Sequence, residues 1–292
     1  MGILTNLRRG VNPHISEPKP RFSSNSLGYR ADIQIIRGVS VIAVILFHTF
    51  KNSFPNGYLG VDAFFVVSGF VVTPLISEIA SKKYAIQQLA AYKSFLVKRF
   101  FRLFPALSTT LIGSSLAILF FARISDITRF SRQGILSIFS LGNFGAYRFQ
   151  PDYFSQEENI LVHTWSLSIE GQFYVLAPVA VIILGMFAKK KKWIKLIVIA
   201  AVFFLSLSFY MNFGFILSIY NGIGISDPVA ASFYLIFGRI WQFLAGGLLH
   251  YWKIRLFNIK GLFWWDPFCV VLSSPLEIDH RISGLLVVFL AG

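Results

Sequence analysis

Two ionisable side chains lie in the first apolar segment of the chain, residues 33–50, where charge is costly and usually marks function. Arg37 and His48 are eleven residues apart, so an α-helix would place them within about 20° of one face and roughly 16 Å apart along its axis. The spacing fits an anion-binding group near one side of a membrane and a proton-transfer group near the other. It fits equally a snorkelling arginine and an interfacial histidine.

A second pair opens the apolar segment 164–188. His163 and Glu170 are seven residues apart, which again brings them to within about 20° of one helical face and roughly 10 Å from each other. A carboxylate about two turns inside an apolar helix suits general acid–base catalysis. The alternatives are a structural ion pair or a satisfied hydrogen-bond network for Glu170, and a helix cap at the interface for His163.

Three further polar residues in apolar segments are predicted to be structural or orienting. Asp62 opens the segment 58–79 and could orient a histidine or cap the helix N-terminus. Arg239 lies several residues inside the segment 232–252, where a charge needs a partner. Gln242, one turn further on, could form a hydrogen bond with Arg239 but could not neutralise it.

A dense basic cluster, Lys98, Arg99 and Arg102, precedes the apolar segment 105–122. Arg99 and Arg102 are three residues apart and can share one helical face. The cluster suits attraction of lipid head groups or recognition of a multiply anionic donor. With the two pairs above it forms a polar axis, with cations on one side and histidine and carboxylate on the other, that could carry transport or transmembrane chemistry. We expect no metal site.

The composition indicates which solvent these segments meet. The chain is 55% hydrophobic and 14% charged, against about 25% charged residues in soluble domains, so lipid must cover much of its surface. Its formal net charge of +14 does not indicate nucleic-acid binding, because the basic residues form short runs beside apolar segments, as in the cytoplasmic loops of membrane proteins. The single cysteine, Cys269, excludes an intrachain disulfide.

The apolar segments predict an all-α fold, a polytopic transmembrane helix bundle of about eight or nine segments. Residues 132–147 are moderately apolar and are predicted to be re-entrant or interfacial on the outer side. The remaining candidates are residues 33–50, 58–79, 105–122, 164–188, 193–217, 232–252, 261–272 and 282–292.

Basic residues predict the orientation of this bundle. Residues 1–28 are rich in Pro, Ser and basic side chains and are expected to form a disordered cytoplasmic tail. Placing the basic stretches 82–102, 189–195 and 253–260 on the cytoplasmic side with this tail gives a consistent alternation, as in a multi-pass protein of the cell membrane. Because the segment 282–292 is too short to span, we expect the chain to be truncated at its C-terminus.

Five blocks of the sequence resemble, in order, the motifs of acyltransferase family 3, whose members are membrane-bound and commonly O-acetylate surface polysaccharides. Arg37 and His48 match that family's Arg or Lys, ten residues, His motif, and the other blocks are residues 60–70, 98–107, 163–174 and 239–247. The blocks span residues 29 to about 250. Two departures are specific: Gly171 stands where members usually carry a second acidic residue, and Gln242 stands where they usually carry Glu.

The resemblance implies that residues 29–292 form a transmembrane acyltransferase domain, incomplete at its C-terminal end. It implies an acyl-CoA donor, such as acetyl-CoA, on the cytoplasmic side and an acceptor hydroxyl of a carbohydrate or lipid-linked glycan near the outer side, with no permanently bound cofactor. The residues that match the family's basic motifs would bind the donor phosphates: Arg37, Lys98, Arg99 and Arg102.

Under the same resemblance His48 would take the proton from the acceptor hydroxyl, or would itself carry the acyl group. Glu170 would orient or polarise His48, with His163 nearby. The expected partners are acyl-CoA, the glycan acceptor and membrane lipid, and no nucleic acid. The alternatives are a proton-coupled membrane transporter that uses the same buried ions, and an inactive truncated remnant, which the departures at Gly171 and Gln242 would suit.

Overall fold

The computed structural model describes residues 31–121, 124–149, 159–188, 191–212, 222 and 227–252. These residues form helices joined by turns and contain no strand, which confirms the predicted all-α fold. The predicted tail and the predicted segments 261–272 and 282–292 lie outside the described residues. The helices are α1 (Ala31–Thr49), α2 (Leu59–Ser81), α3 (Ala85–Phe121), α4 (Ile124–Ile138), α5 (Gly142–Phe149), α6 (Thr164–Phe187), α7 (Lys192–Met211), α8 (Pro228–Tyr234), a 3-10 helix (Ile236–Gly238) and α9 (Ile240–Tyr251).

Four of the described helices, α2, α3, α6 and α7, are long and apolar enough to cross a membrane. Helix α1 adds a shorter apolar stretch, Ile33–Thr49. These helices identify the chain as a membrane protein. The predicted total of eight or nine apolar segments is not confirmed by the described helices.

Helix α3 is longer than the sequence pattern predicted. The predicted span 105–122 is only its second half, because the helix has 37 residues and begins at Ala85. The first half is rich in Ala, Gln, Leu and Lys, which are strong helix formers, and Pro105 is accommodated within the helix. Most of the basic stretch 82–102 that was predicted to precede the span is therefore part of α3, and the basic cluster lies on this helix.

The predicted single span 232–252 is instead broken into α8, the 3-10 helix and α9. The break falls at Leu235, whose backbone is extended with φ −91° and ψ 146°. The carbonyl of Phe233 is left without its helical partner there, and Arg239 Nε donates a hydrogen bond of 2.9 Å to it. Arg239 is thus the residue before α9 and not an interior position of one long helix.

The predicted segment 132–147 does not form one spanning helix. It falls on α4 and α5, which are 15 and 8 residues long and are joined by a turn in which Ser140 has φ 56°. Buried hydrogen bonds hold both helices to α6: Gln133 donates to Thr164 Oγ1 over 3.3 Å, and the Gly142 N–H donates to Ser168 Oγ over 3.0 Å.

Helix α2 lies at the centre of the described bundle and packs closely on α1 and α9. At Gly60 the Ser40 carbonyl of α1 occupies the place of a side chain, and at Gly69 the Phe243 backbone of α9 does so. Gly246 of α9 lies in the same way against the Val66 carbonyl. Small residues at these crossings let the helix backbones approach closely, as in other membrane bundles.

The contacts also fix helix directions. Helices α1 and α2 run antiparallel, because Ser40 meets Gly60 and Ala43 meets Gly57. Helices α2 and α6 run parallel, because Phe65 packs on Trp165 and the Ser68 hydroxyl bonds Glu170 one turn later. The start of α1 therefore lies at the same end of the bundle as the lysines that follow α2, Lys82 and Lys83, and those at the start of α7, Lys191 and Lys192.

Substitution of Gly69 by Ala tests the close crossing of α2 and α9. A Cβ at position 69 would lie 2.6 Å from the Phe243 Cα, so the backbones must separate, and we expect a loss of about 1–3 kcal/mol. The matched control is Gly113→Ala on α3, where a Cβ meets nothing within 4 Å. The midpoint of thermal unfolding in detergent checks both, and equal midpoints for the two variants would contradict the crossing.

Candidate active site

A cavity of about 610 Å³ lies between α1, α2, the first turn of α6 and one residue of α3. Its volume falls within the range of about 300–1,000 Å³ typical of small-molecule sites. The side chains are mostly apolar with a few hydroxyls and two imidazoles, and none of the lining residues is Lys, Arg, Asp or Glu. The lining residues are Ser40, Val41, Val44, Ile45, His48, Thr49, Gly60, Val61, Phe64, Thr110, His163, Trp165, Ser166 and Leu167.

Two predicted catalytic residues, His48 and His163, meet at one end of this cavity. Their ring centroids are 4.4 Å apart with an interplanar angle of 74°. His48 is half-buried on the last turn of α1, where the Phe47 ring packs against it at 4.9 Å, whereas His163 is exposed and directly precedes α6. Imidazole can accept and release a proton near neutral pH, so the histidine end of the cavity has the groups that general acid–base chemistry needs.

Arg37 lies on the same helix as His48, behind the side chain of Phe64 at the end of the cavity away from the histidines. Its guanidinium is 4.7 Å from the centroid of the Phe64 ring, and Phe64 lines the cavity. The helical rise places Arg37 roughly 16 Å from His48 along α1. A positive charge therefore stands beside the cavity at the end away from the histidines, without being part of its lining.

Glu170 is fully buried between α2 and α6 and does not line the cavity. Its Oε1 accepts hydrogen bonds from the Ser68 hydroxyl, over 2.8 Å, and from the Tyr174 hydroxyl. Its Oε2 has no hydrogen-bond partner among the described residues. Among the described residues, Glu170 therefore bonds Ser68 of α2 and Tyr174 of its own helix, and these bonds do not include one to His48.

Ser68 and Tyr174 are the two residues of this network that the sequence reading did not single out. Tyr174 stands four residues after Glu170, a spacing at which helical side chains meet, so this contact had a local signal. Ser68 had a weaker one, as a hydroxyl in the otherwise apolar middle of α2.

The ring of Tyr174 lies between the basic cluster and Glu170. The Arg99 guanidinium lies 5.3 Å from the Tyr174 ring centroid and 5.5 Å from that of Phe95, within reach of a cation–π interaction. Lys98 and Arg102 are exposed on α3. The predicted donor-binding residues therefore occupy two places, Arg37 beside the cavity wall and the basic cluster beside Tyr174.

Asp62, Arg239 and Gln242 form one buried network. Asp62 Oδ1 accepts a hydrogen bond of 2.7 Å from Arg239 Nη1 and one of 2.8 Å from Gln242 Nε2. Asp62 is thus the counter-charge that Arg239 needs, and its side chain neither caps α2 nor bonds a histidine among the described residues. The Arg239 guanidinium also stacks within 5.4 Å of the Trp165 ring, which lines the cavity.

The two departures from the family motifs fit their surroundings. At Gly171 a Cβ would lie 2.9 Å from the Ser140 hydroxyl, so Ser140 occupies the space that a larger side chain would need. Gln242 adds a hydrogen bond to Asp62 without adding a second negative charge to an ion pair that is already balanced. Neither departure leaves a gap or an unpaired charge in the described structure.

The described fold and site define the class of all-helical membrane domains with a cavity that two histidines line at one end. The family model of acyltransferase family 3, described as an acyltransferase domain, matches residues 30–276. The chain belongs to this family.

The relatives carry matching names. A candidate O-acetyltransferase of Staphylococcus aureus strain MSSA476 is 34% identical over 164 residues, which are 56% of this chain and 26% of that protein. The O-acetyltransferase OatA of Staphylococcus aureus strain NCTC 8325 is 32% identical over 186 residues, 63% of this chain and 30% of that protein. The matches thus span less than a third of the length of either relative. No solved structure matches the chain significantly.

A double-mutant cycle tests the buried ion pair. Asp62→Leu and Arg239→Met each leave an unpaired buried charge, and we expect each to lower the free energy of unfolding by about 3–5 kcal/mol. The double variant removes both charges and should be more stable than either single variant. Recovery of folded protein and its unfolding midpoint in detergent provide the measurement.

The control for this cycle is the exposed pair Lys82–Glu78, which spans 3.2 Å on the surface. Glu78→Gln should change the free energy of unfolding by less than about 1 kcal/mol. Strictly additive losses in the Asp62 and Arg239 variants would show that the two charges do not stabilise each other.

Proposed function

We propose that this protein transfers an acyl group, most simply acetyl, from cytoplasmic acyl-CoA to a hydroxyl of a cell-envelope or exported carbohydrate. The observation that carries the proposal is the cavity that ends at the contacting rings of His48 and His163 and has Arg37 beside its other end. Membership of an acyltransferase family and the names of the O-acetyltransferase relatives support the same reaction type.

The proposed orientation follows from the lysines at one end of the bundle. Lys82, Lys83, Lys191 and Lys192 lie there with the start of α1, and short basic connections favour the cytoplasmic side of a cell membrane. In this orientation the N-terminus is cytoplasmic and the histidine end of the cavity lies toward the outside. Donor and acceptor would then approach the cavity from opposite sides.

The proposed donor, acyl-CoA, matches the distribution of charged and apolar side chains around the cavity. The phosphates of acyl-CoA are anionic and would be held by Arg37 and the basic cluster near the cytoplasmic side. Its pantetheine arm is uncharged and would enter the mostly apolar cavity along α1, past Val41 and Val44. The thioester would then come to His48 at the far end.

The reaction needs one proton acceptor at that end. As the acceptor oxygen attacks the thioester carbonyl, His48 takes the hydroxyl proton, the C–O bond of the ester forms and the C–S bond breaks. The departing CoA sulfur receives the proton from His48, so the imidazole ends the cycle in its starting state. A route through an acyl-histidine has the same products and also requires His48. His163 completes the wall of the reaction site.

In this proposal Glu170 is a positioning residue. Its bond to Ser68 holds α6 against α2, and its bond to Tyr174 fixes the carboxylate within α6. Helix α6 begins beside the two histidines. The carboxylate therefore acts on the site through the placement of α6 rather than by touching the substrate.

Replacement of His48 tests the proposed function. His48→Gln in the full chain should lower acetyl transfer from acetyl-CoA to envelope carbohydrate at least about 100-fold, the usual contribution of a general base. The matched control is His250→Gln, since His250 is half-buried on the last turn of α9 with its ring 5.1 Å from that of Phe70, away from the cavity. Radiolabelled acetyl-CoA supplied to membrane vesicles provides the measurement.

Two results would contradict the proposal. One is acetyl transfer that persists in His48→Gln or falls equally in His250→Gln. The other is a wild-type protein that moves protons across the vesicle membrane, loses that flux in His48→Gln and transfers no acetyl group, which would favour a proton-coupled carrier.

The role of Glu170 is tested by comparing Glu170→Gln with Glu170→Ala. The glutamine keeps an oxygen that can accept from Ser68 and Tyr174, so we expect it to retain most of the activity and thermal stability. The alanine removes the acceptor for two buried donors, which should cost about 1–3 kcal/mol each and lower activity in parallel. A Glu170→Gln variant that is as stable as wild type but inactive would show that the carboxylate takes part in the chemistry itself.

A further inference from the structure

Four hydroxyl side chains line the cavity. Ser40, one turn from Arg37 and away from the histidines, has no hydrogen-bond partner among the described residues, whereas the hydroxyls of the other three each donate their hydrogen to a backbone carbonyl. Thr49 donates to the Ile45 carbonyl over 2.9 Å, Thr110 donates to the Ala106 carbonyl over 2.8 Å, and Ser166 donates to the carbonyl of His163 over 3.3 Å. A hydroxyl has one hydrogen to donate and two lone pairs with which to accept. These side chains therefore present hydrogen-bond acceptors to whatever occupies the cavity.

Two of the three hydroxyls lie next to the histidines along the chain. Thr49 directly follows His48 at the end of α1. Ser166 is on the first turn of α6, and its hydroxyl bonds the carbonyl of His163 itself. Both oxygens therefore belong to the histidine end of the cavity.

Thr110 reaches the same end of the cavity from α3. Its neighbour Leu111 has a methyl group 3.7 Å from the Cβ position of Gly134 on α4. The adjacent Gln133 donates a hydrogen bond to Thr164, the first residue of α6. These contacts place Thr110 level with the start of α6 and away from the basic cluster. The start of α6 is where the carbohydrate that accepts the acyl group is proposed to bind.

The charge of the cavity restricts what these acceptors can bind. None of the described residues that line the cavity is Lys, Arg, Asp or Glu, and His48 must be neutral in order to take the proton of the attacking hydroxyl. A carboxylate or phosphate there would lose its hydration without a cation or a surplus of donors to replace it. A sugar hydroxyl can donate to Thr49, Thr110 or Ser166, and the apolar face of a sugar ring can pack on the side chain of Leu167.

We infer that the histidine end of the cavity binds an uncharged, hydroxyl-rich carbohydrate, and that Thr49, Thr110 and Ser166 select it by accepting hydrogen bonds from its hydroxyls. This inference rests on the proposed function and narrows its acceptor to neutral sugar residues. Negatively charged sugars, such as uronic acids or sugar phosphates, are poor substrates for acyl transfer here, because the hydroxyl oxygens of Thr49, Thr110 and Ser166 repel their anionic groups.

Adjacent threonines on α3 provide a matched test. Thr110→Val keeps the shape of the side chain but removes the acceptor oxygen from the cavity. Thr109→Val makes the same change one residue away, where the exposed Thr109 hydroxyl bonds the carbonyls of Pro105 and Ala106 but does not line the cavity. Both variants keep every proposed catalytic group.

Inverted vesicles that carry the full chain are supplied with radiolabelled acetyl-CoA, and the labelled oligosaccharides are separated into neutral and acidic fractions by anion exchange. The label should appear in the neutral fraction. Thr110→Val should lower the rate about tenfold, the effect of one hydrogen bond in a desolvated site, with the KM for acetyl-CoA unchanged. Thr109→Val should match the wild type.

Three results would overturn the inference: label mainly in the acidic fraction, an equal loss in Thr109→Val, or a raised KM for acetyl-CoA in Thr110→Val, which would place Thr110 in the path of the donor. Absence of label from both fractions would instead overturn the proposed function, and this inference with it. A His48→Gln variant measured in the same vesicles separates the two cases, because its loss of transfer depends on the proposed function alone.

Discussion

The ion pair between Asp62 and Arg239 determines how α9 packs on α2. Moving two charges out of water costs several kcal/mol per ion, and the attraction between them offsets this only with good geometry and additional hydrogen bonds. Asp62 also accepts from Gln242, and Arg239 bonds both Asp62 and the carbonyl of Phe233. The second bond requires the chain to leave the helix before Arg239, which explains why α8 and α9 are separate. The close crossing of Gly69 and Gly246 then brings α9 near enough to α2 for the pair to form.

Helix α2 connects this pair to the candidate active site. Asp62 faces α9, whereas its neighbours Val61 and Phe64 line the cavity against α1, and Ser68, one turn beyond Phe64, bonds Glu170 of α6. Trp165 of α6 provides a second connection, because it lines the cavity and lies under the Arg239 guanidinium. Buried polar contacts thus fix α2 and α6 on the sides that face away from the cavity, and none of the described residues that line the cavity is Lys, Arg, Asp or Glu.

The sequence was sufficient for elements that depend on local patterns. The long apolar runs located α1, α2 and α6 closely. His48 and His163 were predicted as candidates because each lies in or beside an apolar segment, and their rings are in contact. The length of α3 could also have been predicted, because its first half consists of helix formers, but hydropathy alone places its start too late.

The sequence was insufficient wherever the deciding partner is distant. Arg239 and Asp62 are 177 positions apart, and Ser68 and Glu170 are 102 apart, so neither the helix break before Arg239 nor the partner of Glu170 has a local signal. The family resemblance named these positions without showing that Arg239 pairs with Asp62 or that Glu170 bonds Ser68 instead of His48. An experimental structure with a non-hydrolysable acyl-CoA analogue tests the central claim most directly. The account predicts the nucleotide beside Arg37 and the basic cluster, and the pantetheine arm in the cavity with its acyl end at His48. An analogue bound elsewhere, with lipid filling the cavity, would contradict it.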